Sequence, residues 1–273
     1  MKPTSRVAII GGGTVGGAMA ELFGGGAVVY DIRPGFSHDR SSVNHCQASF
    51  VCVPTPRGDD GAADTSVVED VVSWLETPLV VIRSTVPPGT TDRLRRETAK
   101  HVVFQPEYLG ETPRHVYRNL SEQDFIVLGG PLEDTSAVAD IYKRYLNATV
   151  RYHFCDAKTA ELAKYMENAF FAAKVTFVNE FHDIARLFGV DFNLLREIWL
   201  ADGRINPDHT DVYPSARGFC GKCLPKDLDA IIAACLQGGY DPKLLTAVRE
   251  TNNQWTRQTG TDQRILQWSH RPL

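Results

Sequence analysis

The apolar run Val7-Ala8-Ile9-Ile10 ends directly in Gly11-Gly12-Gly13-Thr14-Val15-Gly16, and a helical pattern begins at Thr14. A buried strand that stops at glycines spaced G-x-G-x-x-G and then opens a helix leaves few folds open. Gly11 permits the tight turn, Gly13 lets a phosphate group approach the backbone, and Gly16 allows close helix packing. Further β-branched runs follow at Ala27–Tyr30, Phe50–Val53, Leu79–Ile82, Val102–Phe104, Phe125–Leu128 and Thr149–His153. Between them the patterns predict helices at Thr14–Phe23, Thr65–Leu75 with Asp64 as N-cap, Thr91–Ala99 and Leu132–Leu146. Strand, helix, strand repetition implies an α/β fold with a doubly wound parallel sheet. The polar stretch from Arg33 to Ser49 reads as loop.

From Asp156 the pattern is helical without strands, and its first segment runs uninterrupted to Phe188. That change sets two domains, 1–155 and 156–273. Leu162, Met166, Ala169, Phe170, Ala173, Phe177, Phe181 and Ile184 recur at spacings of three and four and mark one buried stripe. Lys164, Asn168, Phe171 and Val175 fall on the opposite side, where Phe171 and Val175 would suit water poorly. The helix is therefore expected to be buried on both sides, at a junction of domains or subunits. Shorter helices are expected at Asp191–Ala201, Pro225–Gln237 and Pro242–Gln258.

Composition excludes several classes. With 43 % hydrophobic and 23 % charged residues the chain is neither disordered nor fibrous. A formal charge of -4 without a basic tract gives no footprint for nucleic acid. The start MKPTSRVAII is too short in apolar residues for a signal peptide, and no later stretch approaches the roughly 20 that a membrane span needs. A soluble, cytoplasmic protein with no nucleic-acid or membrane partner is expected. In such a chain the six cysteines argue against a disulfide framework and raise the question of which thiol reacts.

Asp31 ends the second strand twenty residues after Gly11, where a carboxylate binds adenosine ribose hydroxyls. With Gly11, Gly13, Thr14, Val15 and Gly16 it points to NAD, the pyrophosphate resting on the helix N-terminus. A carboxylate there repels a 2′-phosphate, although Arg33 nearby leaves room for NADP. The competing reading is a structural glycine turn.

The densest chemistry lies in Gly218-Phe219-Cys220-Gly221-Lys222-Cys223-Leu224-Pro225-Lys226-Asp227. A glycine-rich loop delivers Cys223 ahead of a helix whose first turn holds Pro225 and Asp227. The positive helix end and Lys222 or Lys226 lower a thiol's pKa and raise its nucleophilicity. Half a zinc site, a redox dithiol and a merely buried thiol pair remain open for Cys220 and Cys223. No second Cys or His pair has ligand spacing, so no metal is expected. Lys164 and Asn168 stand at i and i+4, where a cation and an amide can point at one substrate oxygen. A solvated lysine is the plainer alternative.

Taken together, these residues resemble the UDP-glucose/GDP-mannose dehydrogenase family, NAD-dependent enzymes that oxidise a nucleotide-sugar primary alcohol to the acid in two hydride transfers. The resemblance runs in order through Val51-Cys52-Val53-Pro54-Thr55-Pro56, Asp64-Thr65-Ser66, Ser84-Thr85-Val86-Pro87-Pro88-Gly89-Thr90, Pro106-Glu107-Tyr108-Leu109-Gly110-Glu111, Glu161…Lys164…Asn168…Asn179-Glu180, Arg204-Ile205 and the Cys223 segment. It implies a Rossmann-like domain joined by a long helix to an all-helical dimerisation domain, hence a homodimer.

The resemblance also implies roles. Cys223 would attack the intermediate aldehyde to give a thiohemiacetal and then a thioester. Lys164 and Asn168 would steady the oxyanion, Asp227 with Thr85 would hold the water, and Glu107 would assist proton transfer. Glu111 would lie near the nicotinamide, and Thr55 and Thr85 near the cofactor. Arg204, Gly221 and Lys226, with Lys164 and Asn168, would bind substrate.

Three departures stand out. Cys220 replaces a family glycine and brings a second thiol close to Cys223, in reach of a regulatory disulfide. The Arg33–Ser49 excursion is short, and the chain stops before the family's C-terminal nucleotide-gripping domain. The expected activity is thus NAD-dependent oxidation of a sugar-like primary alcohol in a nucleotide sugar, nucleoside or sugar phosphate. A two-electron β-hydroxyacid-type dehydrogenase, or a non-catalytic NAD-binding module, are the alternatives.

Overall fold

The structure is a computed structural model that describes residues 6–36, 39–110, 117 and 119–259. Seven strands form one sheet: β1 (Val7–Ile10), β2 (Ala27–Tyr30), β3 (Ala48–Val51), β4 (Val80–Ile82), β5 (Val102–Phe104), β6 (Phe125–Gly129) and β7 (Arg151–Cys155). Their order is β2-β1-β3-β4-β5-β6-β7. β1 pairs parallel with β2 and with β3, so Val7 faces both Ala27 and Ala48. A strand flanked on both edges and covered on both faces has no polar side, which is why β1 reads as an unbroken apolar run.

Around the sheet lie α1 (Thr14–Phe23), α2 (Arg40–Asn44), α3 (Ser66–Trp74), α4 (Thr90–Thr98) and α5 (Leu132–Tyr142). One face packs Val7, Ile9, Phe50 and Leu128 against Met19 and Phe23 of α1 and Val138 and Tyr142 of α5. The other packs Ala8, Ile10, Val51 and Ile82 against Val68 and Val72 of α3 and Leu94 of α4. The helical part comprises α6 (Ala157–Leu187), α7 (Phe192–Leu200), α8 (Leu224–Gln237) and α9 (Lys243–Thr259). Two compact units divide inside α6: Met1–Pro56 with Ala63–Lys164, and Arg57–Ala62 with Tyr165–Leu273. Asp229 accepts the Arg57 Nε–H at 2.6 Å and so holds the Arg57–Ala62 excursion within the helical unit.

The sheet departs from all-parallel at one pair, since β5 and β6 run antiparallel through Phe104 and Gly129. An antiparallel return does not need the crossover helix that a parallel one requires, and among the described residues the connection holds a 3₁₀ turn at Leu120–Glu122. Pairing with β1 draws β3 two residues earlier than Phe50–Val53, and pairing of Phe125 with Arg151 draws β7 two residues later than Thr149–His153. The Arg33–Ser49 stretch is not all loop. Asp39 accepts the Ser42 N–H at 2.8 Å and caps α2, and Ala48 and Ser49 belong to β3. Asp64 is not the N-cap of α3; its carboxylate accepts the Ser66 N–H at 2.9 Å one residue ahead of the cap, Thr65. α5 ends at Tyr142 instead of Leu146 because Lys143 is its C-cap.

In this chain most of the apolar stripe of α6 is open, with Met166 75 % and Phe170 62 % exposed and Leu162, Phe177, Phe181 and Ile184 also on the surface, whereas Ala169 within it is buried. The opposite side is the packed one, where Tyr165, Asn168, Ala172, Thr176 and Asn179 are buried. Periodicity marks an apolar face but does not say whether its partner belongs to the same chain.

Candidate active site

In the α/β unit, the strand order turns back at β1, with β2 on one side and β3 on the other, and ligands of doubly wound sheets bind outside the carboxyl ends of strands at such a point. The glycine loop leaves β1 there. A Cβ on Gly16 would lie 1.8 Å from the Gly11 carbonyl oxygen, so no other residue fits where α1 crosses the loop. At Gly13, the N-cap of α1, a Cβ would meet nothing within 4 Å. Bare backbone therefore faces open space at the positive end of α1, with exposed Thr14 and half-buried Val15 next along the chain. This is the cradle a pyrophosphate needs, and it fits a dinucleotide.

Asp31 follows β2. Its carboxylate accepts from the Gly12 N–H at 2.7 Å, the Arg33 N–H and Nε–H at 2.9 Å each, and Arg33 Nη2 at 2.7 Å. The Arg33 guanidinium, helped by these two backbone N–H groups, holds the Asp31 carboxyl well below the usual carboxylate range. Arg33 thus pairs with the residue expected to bind ribose. Phe36, which motif reading did not single out, lies over the loop: a Cβ on Gly12 would sit 2.4 Å from its ring. Its signal in the sequence is a single aromatic within a polar stretch.

Thr55 and Thr85 come together, the Thr55 hydroxyl donating to the Thr85 carbonyl at 2.9 Å. Glu107 accepts the Leu109 N–H at 2.6 Å and pairs with Arg83. Arg83 is 2 % exposed, and neither its Nε nor its Nη1 has a partner among the described residues. Burial opposes the Arg83 cation most strongly, yet the Glu107 carboxylate, together with the nearby Tyr142 and Cys52, holds the guanidinium above its ordinary pKa. No motif announces Arg83; a charge inside an otherwise apolar β4 continuation is the available hint. Lys164 has its ammonium 5.1 Å from the centre of the Tyr108 ring. Glu111 lies outside the described residues.

In the helical unit Cys223 is exposed and is the N-cap of α8, with Pro225 in the first turn. Asp227, one turn on, is 2 % exposed and accepts from Asn168 Nδ2 at 2.6 Å. Lys226 pairs with the other carboxylate oxygen. The loop before Cys223 is pinned from several sides. Asn252 accepts the Phe219 N–H at 2.7 Å and donates to the Phe219 carbonyl at 3.0 Å. Arg217 donates to both oxygens of Asp183 at 2.9 Å and to Asn179 Oδ1 at 2.7 Å, and Asn179 accepts the Gly218 N–H at 3.2 Å. These holding residues are polar positions scattered between Asn179 and Asn252, with no common spacing to reveal them. Gly221 is exposed, and Arg204 is exposed and pairs with Asp202 in its own loop.

The cysteines sort by environment. Burial pushes the Cys52 thiol up to about 12 and raises Cys46 and Cys155 as well, which makes all three poor nucleophiles. Cys223 stands apart by its exposure and its place at a helix N-terminus.

Residues 27–146 match the NAD binding domain of the UDP-glucose/GDP-mannose dehydrogenase family, and residues 158–254 match the central domain of the same family. A UDP-glucose 6-dehydrogenase of Pseudomonas aeruginosa is 32 % identical over 220 residues, 74 % of this chain and 48 % of that protein. The putative UDP-glucose 6-dehydrogenase YtcA of Bacillus subtilis is 29 % identical over 230 residues, 80 % of this chain and 53 % of its own length. The chain spans about half the length of these curated relatives. Among solved structures, a UDP-glucose dehydrogenase from the archaeon Pyrobaculum islandicum superposes with a TM-score of 0.81 at 28 % identity, covering 94 % of this chain and 70 % of that one.

Proposed function

Because the chain belongs to the UDP-glucose/GDP-mannose dehydrogenase family, we propose that it oxidises the primary alcohol of a nucleotide sugar to the carboxylic acid through a covalent intermediate on Cys223. The observation that carries this reading is the cluster in the helical unit: an exposed thiol at the N-cap of α8, with Asn168, Lys226 and Asp227 gathered one turn away.

NAD, when bound, takes up the hydride that leaves the substrate carbon. The chain's own residues do the rest. The N-terminus of α8 favours the Cys223 thiolate. That thiolate adds to the aldehyde carbon, and the thiohemiacetal keeps a reactive aldehyde from escaping. Asn168 and Lys164, four residues apart on α6, donate toward the oxygen that gains negative charge. At the thioester stage Asp227, held by Asn168 and Lys226, accepts a proton from the attacking water, and Cys223 leaves as thiolate. Glu107, steadied by Arg83, assists proton transfer on the α/β side, and Thr55 and Thr85 border the cofactor. Arg204, Gly221 and Lys226 contact substrate.

We also infer a homodimer that covers the open side of α6. Supporting it are the adjacent exposed side chains Leu162, Met166, Phe170, Phe177 and Phe181, an apolar row longer than a monomer ordinarily leaves to water. The test of the activity is incubation with NAD and UDP-glucose while NADH absorbance is followed. Formation of NADH with a uronic acid product supports the reading. No turnover with any UDP- or GDP-sugar, nucleoside or sugar phosphate removes it.

A further inference from the structure

We propose that Cys220 and Cys223 form a dithiol site that takes low-molecular-weight disulfides and closes to an internal disulfide. The site stands on the loop's own geometry; only its consequence for turnover rests on the dehydrogenase reading.

The two cysteines are separated by Gly221 and Lys222 alone. Both ends of this short segment are fixed. On one side Phe219 is buried and held in both directions by Asn252. On the other, Cys223 is the N-cap of α8 and its carbonyl accepts the Asp227 N–H at 2.9 Å. The chain bends through Gly221, Lys222 and Cys223. Gly221 has φ +88°, and a Cβ there would touch nothing within 4 Å. A glycine in the left-handed region with open space around it gives the turn freedom to bring the two Cα atoms within the roughly 4.4–6.8 Å a disulfide spans.

The chemistry is asymmetric. Cys223 is exposed and sits at the positive end of a helix beside Lys222, whereas Cys220 is half-buried. Cys223 is therefore the attacking thiol and Cys220 the resolving one. With oxidised glutathione, the Cys223 thiolate attacks one sulfur, forms a mixed disulfide and expels a glutathione thiolate. The Cys220 thiolate then attacks Cys223 Sγ, closes the Cys220–Cys223 bond and expels the second glutathione thiolate. The two thiol protons pass to the two glutathiones, so the protein dithiol is oxidised by two electrons and the reagent is reduced by two. Cys46, Cys52 and Cys155 have thiols raised by burial and do not compete. With Cys223 in the disulfide, the nucleophile of the proposed reaction is blocked until a reductant returns it.

The test uses the full chain, reduced, freed of reductant and treated with oxidised glutathione, read by intact mass and by mapping of the 220–223 peptide. The wild type should lose the mass of two hydrogens and retain no glutathione. Cys220→Ser should instead keep one glutathione on Cys223, because the mixed disulfide cannot be resolved, and Cys220→Gly should behave alike. Before treatment both variants should match the untreated wild type in NADH formation. Retention of glutathione on the 220–223 peptide of the wild type, scored apart from the half-buried Cys235, or absence of any modification at Cys223, overturns the proposal. Turnover with UDP-glucose is scored separately: an internal disulfide in a chain that never forms NADH would uphold the dithiol site and remove the dehydrogenase reading.

Discussion

Asn168 and Asp227, 59 residues apart in sequence, meet at 2.6 Å, both buried in the helical unit. In the proposed reaction one amide would both steady the oxyanion and aim the carboxylate that accepts the proton from water. Asp227→Asn keeps the shape and removes the acceptor, so kcat should fall by about 10²–10⁴ while NAD binding is unchanged. Asn168→Ala should also lower kcat. The double variant should lose less than the product of the two effects, because the residues act as a unit. Steady-state kinetics of the three variants, with calorimetric NAD binding as control, check this.

The Asp31 carboxylate carries four hydrogen bonds, three of them from Arg33, and a carboxylate offers about four acceptor positions. Ribose hydroxyls must therefore displace the guanidinium. Arg33→Ala should tighten NAD binding by roughly 3- to 10-fold, the worth of about one hydrogen bond. The same change should weaken NADP, which loses a cation near its 2′-phosphate. Isothermal titration with both cofactors measures the two shifts.

Glu161, fully buried at the start of α6, accepts the Gly89 and Thr91 N–H groups and so caps α4 from another element. Burial raises its pKa above the ordinary 4.5, against the pull of those bonds. The folded state therefore holds this proton more tightly than the unfolded chain does. The associated stability is complete below 4.5 and is lost as pH rises through the folded value. Glu161→Gln leaves one capping bond unmade and should cost about 1–3 kcal/mol. The gap from wild type should be widest below 4.5 and should narrow as pH rises. Urea unfolding across this range gives the answer.

The glycine loop, the alternation of strands and helices in the first half and the length of α6 were legible because each follows from local chemistry: a strand ending in spaced glycines, apolar runs that alternate with helical periods, a helix without breakers. Cys223, Asp227 and Asn168 were legible as residue types in a pattern. Their contact was not, since no spacing in the sequence encodes a hydrogen bond across 59 residues. What covers the apolar face of α6 was not legible, because such a stripe looks the same whether its partner is this chain or another. The pairing of Arg33 with Asp31, the capping role of Glu161 and the buried Arg83 beside Glu107 were also out of reach. Each is a polar residue whose meaning comes from what folds against it.

Met166 and Phe170 stand on successive turns of the exposed row of α6. Charging both, as Met166→Glu with Phe170→Glu, should leave the helix intact and convert a dimer to a monomer. Sedimentation equilibrium of the wild type and the variant, with circular dichroism to confirm the fold, provides the comparison. A monomeric wild type would remove the inferred dimer.

If Cys223 carries substrate through two successive oxidations, the ratio of NADH to sugar is fixed at two. With limiting UDP-glucose and excess NAD, the wild type should form two NADH for each sugar consumed and release the uronic acid, identified by mass. Cys223→Ser should stall with the sugar at the aldehyde level. One NADH per sugar in the wild type, or a Cys223→Ser variant that yields acid at the wild-type rate, would rule out a covalent intermediate on Cys223.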